Sequence, residues 1–259
     1  MLKTLFKFLF DLIPADSPLL YKVATKYADR FNCDNNSVFH NNGEAALLKR
    51  EIHKFSEGVV FDIGANVGEW SKFCLSMAPN LNLHIFEPST TTYKTLEKFK
   101  WPQNISLNNI GLGEKEESLS LNIFEDGSGL NSLYPRQGIG ENQVIKTETV
   151  TIKTLDDYCE RHEIQCIDYL KMDVEGHELS VLKGAKKMLQ NKKINMIQFE
   201  YGGCNIDARV LLKDIWNFLN EHGYMISKIY PDNVKYFEKY DQRLENFKYS
   251  NWLATTAKS

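Results

Sequence analysis

The stretch VVFDIGANVGEW, Val59 to Trp70, constrains the fold of this chain more than any other feature. It reads as a buried strand that runs into a glycine-containing turn and then a helix, with Asp62 at the end of the strand. Open α/β sheets hold nucleotide-like ligands at such junctions, beyond the carboxyl ends of their strands. Glycine suits the turn because it adopts unusual φ angles and lets a ligand approach the backbone. The motif therefore predicts an α/β sheet with a ligand site at Gly64 and Gly68.

The spacing of the glycines separates the candidate ligands. A dinucleotide fingerprint needs G-x-G-x-x-G, whereas Asn66 and Glu69 stand where its second and third glycines would be. The turn is D-x-G-x-x-x-G and resembles motif I of class I S-adenosylmethionine-dependent methyltransferases. The next predicted strand, Leu81–Pro88, ends in Glu87, an acid placed to accept hydrogen bonds from two ribose hydroxyls. These observations disfavour a nicotinamide oxidoreductase.

Composition narrows the class of protein further. The formal net charge of −3 and the pI near 6.1 give no electrostatic case for nucleic-acid binding. The five cysteines are odd in number and form no C-x-x-C pair, which indicates reduced thiols in a cytoplasm rather than a disulfide framework or zinc site. No apolar run reaches the roughly 18 residues of a membrane span. We therefore expect a cytoplasmic protein.

From Val59 onward, predicted strands alternate with predicted helices, which indicates a mostly parallel sheet with crossover helices. The predicted strands are 59–63, 82–86, 105–110, 167–172, 194–199, 224–230 and 250–257, and the predicted helices are 67–77, 89–99, 154–162, 177–190 and 208–222. The last two strands, joined by Pro231–Tyr249, suit an antiparallel terminal hairpin. Leu119–Phe124 and Val144–Ile152 flank a glycine-rich loop and predict an additional β-ribbon beside the sheet.

Residues 1–57 lack this strand pattern and are predicted to form a helical extension ahead of a ligand-binding domain at 58–259. Helices are expected at Leu19–Phe31 and Glu44–Phe55, with a polar loop between them. The segment Met1–Ile13 places Lys3, Lys7 and Asp11 on one helical stripe, with leucines, phenylalanines and Ile13 covering the rest. Such a helix packs on its own domain or on a second copy of the chain, or it rests on a membrane surface. The sequence leaves these readings open.

Acidic residues follow two later strands at the same edge of the predicted sheet. The segment IDYLKMDVEGHELSVLKGA ends its strand at Asp173, and Glu175, His177 and Glu178 come next. The segment INMIQFEYGGCNIDAR ends its strand at Glu200. Because the ends of parallel strands meet at one edge, Asp62, Glu87, Asp173 and Glu200 should converge on one cleft. Glu178 has a simpler explanation, since acids near a helix N-terminus are favoured by its dipole.

Several segments, in order and spacing, resemble the FkbM family of methyltransferases. They are VVFDIGANVGEWS, HIFEPS, NNIGLGEKE, TIKTLDDY, YLKMDVEGHELSVLKGA and QFEYGGCNIDAR, and the resemblance covers roughly Asn42 to Ala254. It implies a class I methyltransferase sheet that is Rossmann-like, mostly parallel and closed by an antiparallel C-terminal hairpin. It also implies S-adenosylmethionine as cofactor and methylation of a hydroxyl on a sugar, glycan, glycolipid or natural product. Residues 1–40 lie outside it.

The resemblance also implies roles for individual residues. Gly64, Ala65, Asn66 and Gly68 would line the methionine part of the cofactor, with Asp62 beneath it. Glu87 would bind the ribose, and Asn109 with Ile110 would lie near the adenine. Asp173 and Glu175 would border the reacting centre.

The residues themselves leave the base and the acceptor undecided. A sugar hydroxyl is a poor nucleophile and needs a base; His177 has a suitable ordinary pKa, and Asp173 and Glu200 are the alternatives. The acids could also hold a divalent cation through oxygen ligands, but D-x-E-x-H-E matches no strong metal spacing, so no metal is assigned. Aromatic residues crowd the C-terminal region, where they either pack the hairpin or stack on an acceptor. A non-catalytic S-adenosylmethionine sensor or scaffold is the competing function.

Overall fold

The computed structural model describes residues 11, 14, 16–124, 127–136 and 144–256. Its strands are β1 Val59–Ile63, β2 Asn82–Phe86, β3 Ile105–Asn108, β4 Gly111–Leu112, β5 Glu117–Ile123, β6 Lys146–Lys153, β7 Ile167–Met172, β8 Ile194–Tyr201, β9 Tyr224–Ile229, β10 Val234–Phe237 and β11 Ser250–Thr256. Its helices are α1 Pro18–Asn32, α2 Glu44–Glu51, α3 Glu69–Met77, α4 Thr90–Leu96, α5 Leu155–Arg161, α6 Glu178–Lys183, α7 Lys186–Gln190, α8 Cys204–Ala208 and α9 Leu212–Glu221.

The strands build one large sheet with the order β10-β9-β11-β8-β7-β1-β2-β3. Neighbours from β3 to β8 pair in parallel, and β11 inserts antiparallel between β8 and β9. The prediction of a mostly parallel sheet with an antiparallel C-terminal pair is therefore confirmed. Strand β10 lies in the segment predicted as a connection, and it pairs only with β9 at the sheet edge. Its side chains remain partly exposed, so its apolar signal is weak.

The central strands bury side chains on both faces, as expected for parallel strands covered by helices on each side. In β1, Val60 packs into the cluster that α3 covers, whereas Phe61 and Ile63 pack into the cluster on the opposite face. No side chain from Val60 to Ile63 is more than 1% exposed. This explains why the strand reads as a continuous apolar run interrupted only by Asp62.

The predicted β-ribbon is present as a second, three-stranded sheet. Strands β5 and β6 pair antiparallel along their lengths, and β4 pairs in parallel with the end of β6. Its buried face carries a small apolar cluster of Leu121, Ile123, Val150 and Ile152. Gly127, in the loop that follows β5, contacts the glycine turn after β1. The contact is a hydrogen bond that the Asn66 side-chain amide donates to the Gly127 carbonyl. The ribbon therefore lies beside the predicted ligand site.

Two long predicted helices differ from the observed ones. The helix expected at 177–190 is divided at Gly184, where a Cβ would stand 2.0 Å from the Gly113 carbonyl oxygen. The helix expected at 208–222 begins only at Leu212, as α9, because Arg209 has a left-handed φ of +56° and ends the short helix α8 that precedes it. The helices were predicted from the spacing of apolar residues. That spacing reveals neither a close backbone approach nor a single left-handed residue, so the sequence could not locate these helix ends.

The helical extension starts, within the described residues, at α1, which Ser17 caps by accepting a hydrogen bond from the Leu20 N–H. Helix α2 begins as predicted at Glu44 but ends at Glu51, where the chain tightens into a 3-10 turn at Ile52–Lys54. The predicted helix Met1–Ile13 lies outside the described residues, apart from Asp11. Among the residues the structure describes, no helix is long and apolar enough to cross a membrane.

Candidate active site

The turn after β1 has the backbone geometry that its glycines predict. Gly64 and Gly68 both have a φ of +78°, and Asn66 is left-handed at +50°. A Cβ on Gly64 would stand 1.8 Å from the carbonyl oxygen of Asp173, so no larger residue fits there. Strand ends β1 and β7 are thus in direct backbone contact, with the Asp173 N–H donating to the Ile63 carbonyl at 2.9 Å.

Glu87 at the end of β2 is held by the glycine turn. Its Oε2 accepts from the Asn66 N–H and its Oε1 from the Ser89 N–H, each at 2.9 Å. Burial raises the pKa of Glu87 to about 7, although both backbone donors oppose that shift. The carboxyl group is therefore fixed in orientation, and each oxygen keeps further acceptor capacity toward the cleft that it lines.

Asn109 shapes the loop behind Glu87. Its side-chain amide donates to the carbonyl oxygens of Glu87 and Pro88 at 2.9 and 3.0 Å. Ile110 is half-buried against the core and lines the same cleft as Glu87. The Asn109 side chain thus stabilises the loop after Glu87, and Ile110 contributes an apolar side chain to the wall of the cleft.

A first cleft lies between the glycine turn, Glu87 and the ribbon. Its polar lining includes Gly64, Asn66 and Glu87, together with Asp173 and His177. The apolar lining includes Ile110, Leu112, Leu121, Leu133 and Ile152. The Oδ1 atom of Asn66 is buried and has no hydrogen-bond partner among the described residues. A largely apolar cleft with a few placed polar groups suits a nucleoside-like ligand.

A second cleft meets the first at three residues. Both clefts are lined by Gly64, Asn66 and Asp173. The second also has Ser37, Phe39, Glu44, Trp70, Lys171, Glu200 and Tyr249 in its wall. Two ligands placed in the two clefts would therefore meet at Asp173.

Lys171 is a buried cation beside this junction. Its Nζ lies 3.4 Å from Asp62 Oδ1 and 3.5 Å from Asp173 Oδ2. Burial alone would lower the pKa of Lys171, but the surrounding carboxylates, Asp62 first and Asp173 next, raise it above its ordinary value. Asp62, which is fully buried, also accepts from the Ser71 hydroxyl at 2.6 Å. Asp62 thus lines neither cleft, and it is linked to the second cleft by its ion pair with Lys171.

Glu44, at the start of α2, brings the helical extension into the site. Its carboxylate accepts from the side chains of Asn42 and Gln198, both at 2.6 Å, and from Asn251 at 3.2 Å. Burial raises the pKa of Glu44, while Lys171 opposes the shift. A network of side chains from the extension, β8 and β11 therefore closes the second cleft.

Glu200 is joined to this network through Tyr249 and Asn251. Its Oε1 accepts from the Tyr249 hydroxyl at 2.5 Å, and Asn251 donates to the Tyr249 oxygen at 3.2 Å. Burial and the nearby charges of Asp173, Glu44 and Glu175 raise the pKa of Glu200 well above its ordinary value.

Glu175 lies in the turn after β7 with a φ of +52°. It pairs with Arg136 at 2.5 Å, and its carbonyl accepts from the Ser132 hydroxyl at 2.9 Å. Burial, followed by the charge of Asp173, raises the pKa of Glu175 to about 8, although Arg136 opposes the shift. Carboxylate oxygens of Asp173, Glu175 and Glu200 lie within 4.8 Å of one another. The predicted convergence of Asp173 and Glu200 is therefore observed. Glu87 shares the first cleft with Asp173 but does not line the second, and Asp62 lines neither, so the four acids do not meet in one cleft as predicted.

His177 does not join the acids of the second cleft. It lines the first cleft, and its Nδ1 lies 2.8 Å from the Tyr134 hydroxyl. Burial lowers the pKa of His177 to about 4, so the ring is neutral at pH 7. Glu178 is fully buried and accepts from the N–H groups of Val174 and Gly176, as its position at a helix start suggested. These contacts give Glu178 a structural role.

The sequence interpretation did not assign four residues that build the second cleft: Glu44, Trp70, Lys171 and Tyr249. Lys171 carried a usable signal, since a lysine inside the apolar strand YLKM must find partners when the strand is buried. Tyr249 belongs to the C-terminal aromatic residues for which the sequence left packing and acceptor stacking open. Phe237 and Tyr240, by contrast, pack against Trp216 in the core, as the packing alternative proposed. The roles of all these residues depend on contacts between segments that are distant in the sequence.

The parallel sheet, its antiparallel terminal strand and the cleft at the glycine turn define a class I S-adenosylmethionine-dependent methyltransferase. A family model for the methyltransferase FkbM domain matches residues 62–226. The chain belongs to this family.

Relatives in two organisms are enzymes named for sugar chemistry or O-methylation. Hexuronic acid methyltransferase AglP of Haloferax volcanii is 29% identical over 214 residues, which cover 79% of this chain and 81% of the relative. The 2-O-methyltransferase NoeI of Sinorhizobium fredii is 26% identical over 155 residues, or 55% of this chain and 63% of the relative. The crystal structure of methyltransferase FkbM from Methylobacillus flagellatus aligns with a TM-score of 0.48 and 17% identity, covering 77% of this chain and 44% of that one.

Proposed function

We propose that this methyltransferase transfers the methyl group of S-adenosylmethionine to a hydroxyl of a glycan or glycolipid. The observation that carries the proposal is the meeting of two clefts at Gly64, Asn66 and Asp173. One cleft fits the cofactor, and the other offers an acceptor a polar wall with aromatic faces. The names of AglP and NoeI, a hexuronic acid methyltransferase and a 2-O-methyltransferase, support an acceptor of this class.

The chemistry of the first cleft supports cofactor binding there. Gly64 and Asn66, which line it, would hold the methionine part together with Ala65 and Gly68 of the same turn. The Asn66 Oδ1, which has no partner among the described residues, offers an acceptor to the ammonium group. Glu87 would accept from the two ribose hydroxyls. Ile110 would pack on the adenine. Asn109 would hold the loop after Glu87 in place through its hydrogen bond to the Glu87 carbonyl.

The second cleft has the features that a sugar ring needs. Phe39, Trp70 and Tyr249 line it, and aromatic faces stack on the apolar faces of sugar rings. The Trp70 Nε1 is buried without a hydrogen-bond partner among the described residues, so it can donate to an acceptor oxygen. Glu44 and Glu200 line the same cleft and add oxygen acceptors for hydroxyl groups. We propose that these residues bind the acceptor.

The chemistry then requires alignment and a proton acceptor. The bound cofactor supplies a methyl group on a positively charged sulfur. The acceptor hydroxyl oxygen forms a bond to that methyl carbon as the carbon–sulfur bond breaks, and alignment of the two contributes up to roughly 7–11 kcal/mol in favourable cases. We propose that Asp173 takes the hydroxyl proton, because it is the acid shared by both clefts. Lys171 would hold Asp173 in place, and Glu175 with Arg136 would fix the turn beyond it.

His177 and Glu200 fit other roles. His177 belongs to the first cleft and is a weak base with a pKa near 4, so we propose that it helps shape that cleft. Glu200 already receives the Tyr249 hydroxyl, so we propose that it orients the acceptor. The five cysteines are all free thiols, which supports action at the cytoplasmic side of a membrane if the acceptor is a glycolipid.

The acceptor class can be found by labelling. The protein is incubated with methyl-labelled S-adenosylmethionine and a cell lysate fractionated into lipids, polysaccharides and small molecules, with Asp173→Asn as the matched control. We expect label in the lipid or polysaccharide fraction for the wild type and far less for the variant. Label confined to small molecules would contradict the glycan proposal. Cofactor binding without transfer to any fraction would contradict the proposed acceptor chemistry.

A further inference from the structure

Helix α1 exposes an apolar stripe. None of its residues is buried, and Val23, Tyr27 and Phe31 are 58%, 70% and 69% exposed. These residues lie four apart, so they share one face of the helix. Leu19 and Leu20 extend that face at its first turn, at 71% and 44% exposed. An aligned set of large apolar side chains on one helix is a sign of an interaction surface.

A row of basic residues follows the edge of this stripe. Lys22, Lys26 and Arg30 are also four apart, and all three are exposed. Their long side chains can keep their charges in water beside an apolar surface that is being covered. An apolar stripe with a basic edge matches an anionic lipid surface, where the stripe enters the headgroup layer and the cations meet the lipid charges.

The opposite side of α1 is attached to the methyltransferase domain. Asp29 pairs with Lys248 at 2.5 Å and accepts from the Asn35 side chain at 3.2 Å. Just beyond the helix, the buried Asp34 pairs with Lys228 and accepts from Asn246 at 3.0 Å. The helix is therefore held with its apolar stripe outward.

The chain after α1 leads directly to the second cleft. The Asn35 N–H donates to the carbonyl of Tyr249 at 2.8 Å, and Tyr249 lines the cleft. Ser37 and Phe39 line it as well. Since consecutive residues span at most about 3.6 Å each, the five steps from Asn32 to Ser37 keep that cleft wall within about 18 Å of the helix end.

We propose that α1 docks the protein on an anionic lipid surface and holds the acceptor cleft close to it. The docking stands independently of the acceptor; only its purpose, access to a membrane-linked acceptor, rests on the proposed function. The segment before α1 shares the amphipathic, lysine-bearing pattern in its sequence. The contribution of α1 can be separated from that segment by truncation.

Vesicle co-sedimentation tests the proposal. Full-length protein is mixed with vesicles of phosphatidylcholine alone or of phosphatidylcholine with phosphatidylglycerol. The variant carries Val23→Gln, Tyr27→Gln and Phe31→Gln. Glutamine is a good helix former, so these exposed substitutions should leave the helix intact. The control is Tyr236→Gln, a 52% exposed aromatic on β10. We expect wild type and control to sediment with anionic vesicles, and the partition of the variant to fall by about ten-fold or more for each side chain removed.

A second variant tests the basic edge. Lys22→Gln with Lys26→Gln should reduce sedimentation with anionic vesicles and make the remainder less sensitive to salt. A chain lacking residues 1–14 should retain binding that the α1 substitutions abolish. Equal sedimentation of wild type and triple variant would overturn the proposal, as would no sedimentation of wild type. If the wild type self-associates in solution and the triple variant is monomeric, a second copy covers the stripe and the lipid assignment is wrong. None of these results depends on methyl transfer, so the proposed reaction is tested separately.

Discussion

Lys171 and Asp62 occupy paired positions on the adjacent parallel strands β7 and β1, and their side chains form a buried ion pair with Nζ 3.4 Å from Oδ1. The same ammonium group lies 3.5 Å from Asp173. One cation thus joins the strand that carries the glycine turn to the acid at the junction of the two clefts. Stability and catalysis should both depend on it.

Removing this cation should destabilise the fold. We expect Lys171→Met to lower the free energy of unfolding by about 3–5 kcal/mol, because it leaves Asp62 buried without its charge partner. The matched control is Lys235→Met on the exposed edge strand, which should stay within about 0.5 kcal/mol of wild type. Urea denaturation followed by circular dichroism measures both. A Lys171→Met protein as stable as wild type would show that Ser71 alone satisfies Asp62.

Glu87 should govern cofactor affinity. Replacing it by alanine would remove two hydrogen bonds to a carboxylate, each worth about 1.5–3 kcal/mol. We expect a loss of at least about ten-fold in S-adenosylmethionine affinity by calorimetry, and no detectable binding of NAD(H) to either protein. Glu97→Ala, at an exposed glutamate after α4, serves as the control. Unchanged affinity in Glu87→Ala would refute the ribose assignment.

The raised pKa of Glu87, about 7, gives cofactor binding a pH dependence. The ionised carboxylate is the better acceptor for ribose hydroxyls, so affinity should increase as pH rises from 6 to 8. Glu87→Gln should flatten this profile. The stability of the protein without cofactor should change in the opposite direction. Folding raises the pKa of Glu87 from its ordinary value of 4.5 to about 7, so the folded state binds the proton more tightly than the unfolded state. The contribution of Glu87 to stability is therefore lost as pH rises from 4.5 through about 7. Thermal denaturation across this range, compared between wild type and Glu87→Gln, checks that second effect.

Turnover should separate the acids of the second cleft from the cofactor residues. We expect Asp173→Asn to lower turnover by about 10²–10⁴-fold while leaving cofactor affinity nearly unchanged, because it removes the proposed base. Glu200→Gln should also reduce turnover more than cofactor affinity. His177→Gln should have the smallest effect on turnover. A result in which Asp173→Asn loses only cofactor affinity would show that the roles are misassigned.

Removal of divalent cations should leave activity unchanged. Asp173, Glu175 and Glu200 bring carboxylate oxygens within 4.8 Å of one another, but Lys171, Arg136 and Tyr249 already contact them. We therefore expect equal rates with EDTA and with added Mg²⁺. Loss of activity in EDTA and its recovery with Mg²⁺ would identify the three acids as a cation site.

The sequence specified those parts of the molecule that depend on short segments. Strands β1, β2 and β7 have the predicted bounds because each is an apolar run with a clear end. The Gly64 turn and the position of Glu87 followed from local spacing. The partners of Lys171 could not be predicted, since the pairing of β1 with β7 joins residues more than a hundred positions apart. The same holds for Glu44, whose partners Gln198 and Asn251 lie 154 and 207 positions further along the chain.

The two ends of the chain build one wall of the second cleft, and this wall lies outside the segment that the family model matches. Ser37, Phe39 and Glu44 precede residue 62, and Tyr249 follows residue 226. The matched segment itself holds the glycine turn, Glu87 and Asp173. Recognition of the methyl recipient at the proposed acceptor cleft would therefore draw on parts of the chain on both sides of the matched segment. We expect that grafting both flanking segments from one family member onto another would change which acceptor is preferred.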